Sequence, residues 1–242
     1  MLECRSNNYR SLVFSDDLIS FTVKIKETDL FIRAEKNLLP EATACVLNCR
    51  RDLEKYISID PEFAVSLSPH MVPNWAPEIA KRMAKAASKA GVGPMAAVAG
   101  AISEFVGRHL LKYSTEVIVE NGGDIFAFTL RSIKIGIFAG DSPFSNKIAL
   151  KLNAIGRPLG ICTSAGTIGH SLSFGKADAA VIVAENSTLA DAVATATGNR
   201  VKSPSDIKDA LEFALGIEGV IGALIIIGEH LGAKGDIEIE KI

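Results

Sequence analysis

The chain has 242 residues, 48% apolar and 22% charged, and its 26 Lys+Arg against 28 Asp+Glu leave a net charge of −2. Those figures exclude a disordered chain, and they leave no overall electrostatic footprint for nucleic acid. The stretch MLECRSNNYR lacks the apolar core of a signal peptide, and the uncharged runs at 90–103 and 220–228 are too short to span a bilayer.

Cysteines at 4, 45, 49 and 162 form no dense framework, so a reduced, cytoplasmic protein is expected. Residues 18–25 alternate through Phe21, Val23 and Ile25, and 30–34 follow a polar turn at 26–29, which predicts an antiparallel hairpin with one wet face. Pro40 opens a helix over 41–57 whose apolar stripe contains Ala42, Cys45, Val46, Cys49, Leu53 and Ile57. Cys45 and Cys49 therefore read as core residues rather than metal ligands. A long connection at 58–75 carries Pro61, Pro69 and Pro73 together with His70 and Trp75, and loops of that length are often functional. Helices follow at 77–90, where Lys81, Arg82, Lys85 and Lys89 read as a solvated face, and at 94–112. The second is small and apolar on nearly all sides, as a buried helix should be.

Strands return at 115–120 and 125–129, around the turn Asn121-Gly122-Gly123-Asp124, then at 132–138 and as a short edge at 146–149. Residues 156–178 are rich in Gly, Ser and Thr, with strand character at 159–163, and 179–184 is an apolar strand. Ser187 or Thr188 caps a helix through Thr197, stopped by Gly198-Asn199. Ser203-Pro204-Ser205-Asp206 resembles a capping box that opens a helix to 215. A strong strand at 220–227 and a final edge strand around Ile237 and Ile239 complete the chain. This order predicts an α+β fold in which helices pack on one face of a mainly antiparallel sheet, as a single domain over 1–242.

Three segments stand out chemically. The turn Asn121, Gly122, Gly123 and Asp124 lets backbone approach a ligand closely, although an ordinary Asn-Gly hairpin has the same composition. The stretch from Cys162 to Gly175 concentrates hydroxyls and glycines around His170, and Thr163, Ser164, Gly166 and Thr167 offer donors to an anion; a plain surface loop is the alternative. In the helix LADAVATA, Asp191 and Thr195 lie one turn apart and suit Mg²⁺, a hard cation that prefers oxygen. The competing account is an Asp placed to favour the helix dipole.

In this order, the helix GVGPMAAVAGAISEFVG, then NGGD, TSAG and LADAVATA resemble the ApbE-like superfamily, whose best known members are Mg²⁺-dependent flavin transferases. More narrowly, GPMAAVAGAISEF, NGGDI and GTIGHSLSFGKADAAVIVA are similar to a branch with no established activity. The resemblance implies a T-fold-like α+β architecture with a nucleotide site between sheet and helices. It implies Asp191 and Thr195 at the metal, Asn121, Gly122 and Gly123 near the dinucleotide, and Thr163 and Ser164 at the start of the ligand loop. It also matches His170 to the loop histidine of the family's Ser-His segment, and His170, as an acid or base, and Ser171 are the expected catalytic residues. The chain departs from flavin transferases in having Ser171-Leu172-Ser173-Phe174 in place of an Asp-Pro turn, and Val98-Ala99-Gly100 in place of a Lys-Gly pair. The expected function is binding of a small anionic or nucleotide-like ligand, with Mg²⁺-dependent phosphoester or flavin-nucleotide chemistry on FAD or another nucleotide. The alternative is a non-catalytic ligand-binding relative. The expected partners are a small molecule and a second copy in a homodimer, with no nucleic acid and no membrane.

Overall fold

The computed structural model describes residues 13–14, 17–166 and 174–242. Strands β1 (Val13–Phe14), β2 (Ile19–Ile25) and β3 (Thr28–Ala34) lead into helices α1 (Leu39–Ile59), α2 (Glu62–Val65) and α3 (Glu78–Ala90). A 3₁₀ turn, Pro94–Ala97, then feeds α4 (Val98–Leu110). Strands β4 (Val117–Asn121), β5 (Asp124–Phe128), β6 (Ile133–Gly136), β7 (Ile148–Leu152), β8 (Leu159–Ser164) and β9 (Ala179–Ala184) come next. Helices α5 (Ser187–Arg200) and α6 (Ile207–Leu215) precede β10 (Val220–Ile227), β11 (His230–Gly235) and β12 (Glu238–Lys241).

Eight strands form one antiparallel sheet in the order β11-β10-β9-β8-β5-β4-β3-β2. The helices pack on one face of it, as the element order predicts. Alternation decides which side chains meet them. Val119, Phe126, Cys162, Ala180 and Ile182 join the helices in one core, whereas Ile118, Ile125, Ile161, Val181 and Val183 point the other way. The second face is covered by a four-stranded sheet, β1-β6-β7-β12, which contributes Ile133, Ile135, Ile148 and Leu150 to a second core. Periodicity shows that a strand has an apolar face but not what covers it, so this second layer is absent from the sequence reading. One reading is corrected outright: β7 pairs with both β6 and β12 and is an interior strand, not an edge.

Close approach of α4 explains its small residues. A Cβ on Gly107 would sit 2.1 Å from the Phe126 ring, and one on Gly100 would sit 2.2 Å from the Ser187 carbonyl oxygen. The helix therefore lies directly on β5 and against the start of α5. The sequence reading made it apolar on nearly all sides, yet it carries the buried Glu104. A second correction concerns α5, which runs through Gly198 and Asn199 to Arg200. Gly198 lies inside the helix where it packs on the sheet: a Cβ there would sit 3.3 Å from Ser164 Oγ and 3.6 Å from Ala180 Cβ. The capping box at Ser203 and Asp206 is present as expected. Among the described residues no single helix is long and apolar enough to cross a membrane.

Candidate functional site

The β4–β5 hairpin turns through Gly122 at φ +64° and Gly123 at φ +111°, with Asn121 and Asp124 in register opposite each other. Positive φ at both central positions is what a two-residue hairpin needs, so the glycines serve the turn. Among the described residues nothing lies within 4 Å of the position a Cβ would take on either glycine, so they leave open space beside the backbone of the turn.

Asn121 and Asp124 both project toward the helices. Asn121 Nδ2 donates to the Ala99 carbonyl at 3.1 Å, at the N-terminal end of α4. The next amide, Gly100 N–H, donates to Asp191 Oδ2 at 2.8 Å, and the Ala99 N–H also supports that carboxylate. The first amides of a helix lack intrahelical partners, and Ala97 has no side chain with which to cap them. Asp191, reaching across from α5, supplies the missing acceptor. The dipole account of this aspartate is corrected: α5 starts at Ser187 and has no acidic residue in its first turn, and Asp191 serves the N-terminus of the neighbouring α4 instead.

Asp124 and Asp191 share this interior, and the charge of the first bears on the second. Burial, and then the Asp124 charge, push the Asp191 carboxyl well above the usual carboxylate range against the pull of the Gly100 and Ala99 amides. Burial, with the Glu120 charge adding to it, pushes Asp124 up to about 7, opposed by hydrogen bonds from Cys162 and from the Thr163 N–H. Asp124 Oδ1 is shielded from solvent and has no hydrogen-bond partner among the described residues. Cys162 is fully buried between the two acids; burial and both carboxylates push its thiol up, and Sγ lies 3.4 Å from the Ser187 carbonyl.

Asn121 and Asp191 therefore meet at residues 99–100, with the Asp124 charge within reach of Asp191. Thr195 lies one turn beyond Asp191 on the same helix, half-buried. Thr163 enters through its backbone amide, while its side chain follows Ile161 onto the other face of the sheet. Ser164 lies beside Gly198 of α5, and Gly166 N–H donates to the Ala177 carbonyl at 2.8 Å where the loop leaves β8. Thr167, His170 and Ser171 lie outside the described residues. The sequence reading missed Cys162 as a neighbour of both acids, and missed the 99–100 backbone as the hub. The first has a signal, because Cys162 is two residues from Ser164 on an alternating strand; the second depends on a helix-to-helix contact that no local pattern encodes.

Among the described residues no three His, Cys, Asp or Glu side chains cluster in a way that would hold a metal. What the interior offers instead is a carboxylate pair, an orphaned carboxylate oxygen and a nearby hydroxyl, a donor set of hard oxygens that fits a divalent cation sharing its shell with a ligand. Cys45 and Cys49 pack in the α1 core as expected.

A large antiparallel sheet with helices on one face, and a site between the two, defines an ApbE-like fold. It matches the flavinyl transferase ApbE of Pseudomonas stutzeri in its apo form, with TM-score 0.56 and 12% identity over 90% of this chain and 94% of that one. The ApbE protein of Thermotoga maritima matches equally, at TM-score 0.56 and 13% identity, covering 89% and 96%. The family described as AbpE bacteria matches residues 10–238, and the chain belongs to it. It is 42% identical to a UPF0280 protein of Methanococcus aeolicus over 226 residues, covering 91% of each chain. A UPF0280 protein of Methanosphaerula palustris is 43% identical over 216 residues, covering 88% of this chain and 90% of that one.

Proposed function

We propose that this protein binds a nucleotide-like ligand such as FAD at the Asn121–Asp124 turn and acts on its phosphoester linkage with Mg²⁺ held by Asp124, Asp191 and Thr195. The observation that carries the reading is the half-buried pair Asp124 and Asp191, with the shielded Asp124 Oδ1 lacking a hydrogen-bond partner among the described residues. A carboxylate oxygen so placed costs free energy unless a cation or donor joins it. Bound Mg²⁺ supplies neutralisation of charge on phosphate oxygens. Around it, Asn121 ties the turn to α4, Gly122 and Gly123 leave room for a phosphate beside the backbone, and Asp191 fixes the start of α4. His170 and Ser171 belong to the proposal on sequence grounds.

The experiment follows AMP release from FAD with and without Mg²⁺ by chromatography. Wild type is expected to release AMP only with Mg²⁺, and Asp191→Asn or Asp124→Asn to lose at least about tenfold, as removal of groups around a metal does. No release from FAD or other nucleotides by a folded protein overturns catalysis. A second reading, a ligand-binding relative without turnover, is favoured by one contact: Asp191 Oδ2 is already taken by Gly100 N–H. Calorimetry separates the two, since EDTA-insensitive FAD binding without product belongs to the second.

A cytoplasmic location and a homodimer are part of the same proposal. The free thiols of Cys45, Cys49 and Cys162 support the first. Two-fold dimers are the commonest assembly, and a monomer in sedimentation at micromolar concentration overturns the second.

A further inference from the structure

On the far side of the eight-stranded sheet, the two sheets part at one end around a cavity of about 480 Å³. That volume is within the range of small-molecule sites. Its floor is apolar: Leu152, Leu159, Val183, Ile221 and Ile237. These side chains belong to the inter-sheet core or pack against it, so the cavity opens away from Asp191 and the helices.

The rim carries charge of both signs. Lys151 is neutralised internally, 3.0 Å from Glu238 and 3.5 Å from Glu240. Two rim groups remain. Arg157 Nε and Nη2 both lie 3.3 Å from the Asn153 carbonyl oxygen, and among the described residues its guanidinium has no carboxylate partner. That leaves most of its five donors unused. Asp236, which also lines the cavity, likewise has no ion pair among the described residues. An unmatched guanidinium and an unmatched carboxylate thus border one apolar floor.

Both rim groups are set on fixed backbone. Gly156 takes φ +65°, its N–H donates to the Thr129 carbonyl at 3.0 Å, and Arg157 N–H donates to the Ala154 carbonyl at 3.3 Å. On the other side Gly235 takes φ +104° and Asp236 N–H donates to the Ile221 carbonyl at 3.0 Å. Ile237 is seated directly over Gly222, where a Cβ would come within 2.4 Å of its Cγ2. The glycine at 222, inside a strand otherwise rich in Ile and Val, makes room for the wall of the cavity.

We propose that this cavity is a binding site for a small zwitterion with an apolar body, of the class of apolar α-amino acids. Arg157 receives the carboxylate, Asp236 receives the ammonium, and the side chain lies on the floor between the sheets. The site is independent of the carboxylate pair beneath the helices and needs neither metal nor nucleotide.

Calorimetric titration with L-leucine tests it, using the whole chain and the variants Arg157→Gln and Asp236→Asn. Both residues are exposed, so the variants should keep the wild-type circular dichroism and melting curve. Saturable leucine binding is expected, weakened about tenfold or more by each variant, a loss that converts to about 1.4 kcal/mol. Isocaproate, which lacks the ammonium, should bind wild type more weakly than leucine and should be indifferent to Asp236→Asn. No saturable signal with leucine up to about 10 mM, a range that still detects millimolar affinity, overturns the proposal. So does binding equal in all three proteins, or isocaproate binding as tightly as leucine.

Discussion

Glu104 is 1% exposed, and both of its oxygens are engaged. Oε1 accepts from Arg108 Nε at 2.8 Å and Arg82 Nη1 at 3.2 Å; Oε2 accepts from the Thr188 hydroxyl at 2.6 Å and its amide at 3.2 Å. One carboxylate thus joins α3, α4 and the first turn of α5. Replacing it with the isosteric amide in Glu104→Gln removes the charge but not the volume, and should cost about 2 kcal/mol, since breaking a buried charged network costs more than a surface pair. Urea denaturation reads it, and a change below about 0.5 kcal/mol, the scale of surface substitutions, would show the network to be idle. Asp60 makes a pH-dependent prediction in the Pro-rich connection. His70 Nε2 lies 2.8 Å from Asp60 Oδ2, and Tyr56 OH donates to the same oxygen at 2.9 Å. The His70 hydrogen bond first, and Tyr56 with it, hold the Asp60 carboxyl below its ordinary value of 3.8. A depressed folded value stabilises fully above the unfolded value and is lost as pH falls through the folded one. Asp60→Asn should therefore melt below wild type at pH 7 by a few degrees, for about 1 kcal/mol in a chain of this size. The gap should close below pH 3.8 as the wild-type carboxyl protonates. A gap constant from neutral to acid would show that charge is not what matters at this position.

At the scale of elements, the seam between α4 and α5 is the decisive contact. The two helices meet so closely that a Cβ on Gly100 would fall 2.2 Å from the Ser187 carbonyl and 2.7 Å from Asp191 Cβ. Backbone cannot yield as a flexible side chain does, so Gly100→Ala should destabilise by about 3 kcal/mol or more, the upper range for overpacking, and should weaken any ligand bound at Asp124 and Asp191. Gly122→Ala is the control: its φ of +64° imposes a backbone cost of about 1 kcal/mol, but it meets nothing within 4 Å among the described residues. Equal melting of the two variants would dismiss the seam as a constraint. The same seam divides what local pattern encodes from what it does not. Helix α1, the hairpin at Gly122-Gly123 and the strand Ala179–Ala184 follow from periodicity, turn chemistry and apolar runs, because those signals are local. Asp191 and Asn121 follow from motif and resemblance, but their meeting at residues 99–100 depends on which helices cross where. Gly198 misleads because a glycine reads as a helix stop when it takes a left-handed backbone, whereas α5 continues through it to Arg200. Strand β11, His230–Gly235, shows little burial alternation because it is the exposed edge of the large sheet.

Over the whole molecule, the eight-stranded sheet is shared by two cores, one beneath the helices and one against the smaller sheet. Odd and even residues of the same strand serve opposite layers: Cys162 and Ile182 serve the helices, Ile161 and Val183 the small sheet. Losing either layer would expose one apolar face of strands the other layer still needs, so the layers should not unfold separately. The single tryptophan provides a probe on the helical side, where Trp75 packs edge-on against Tyr56, which is buried in the α1 core. Far-UV circular dichroism reports both sheets and all the helices together. Urea unfolding followed by the two signals should give coincident transitions, the test of an all-or-none change. A tryptophan transition at clearly lower urea would mean that the helical layer leaves first. Hydrogen exchange then distinguishes fraying of the Pro-rich connection from loss of the layer: in the first case the amides of α4 and α5 stay protected at the global level, and in the second they exchange with Trp75. Only the second outcome breaks the link between the two cores. It would also mean that Asp124 and Asp191, held together by a strand on one side and a helix on the other, can be separated without unfolding the sheet.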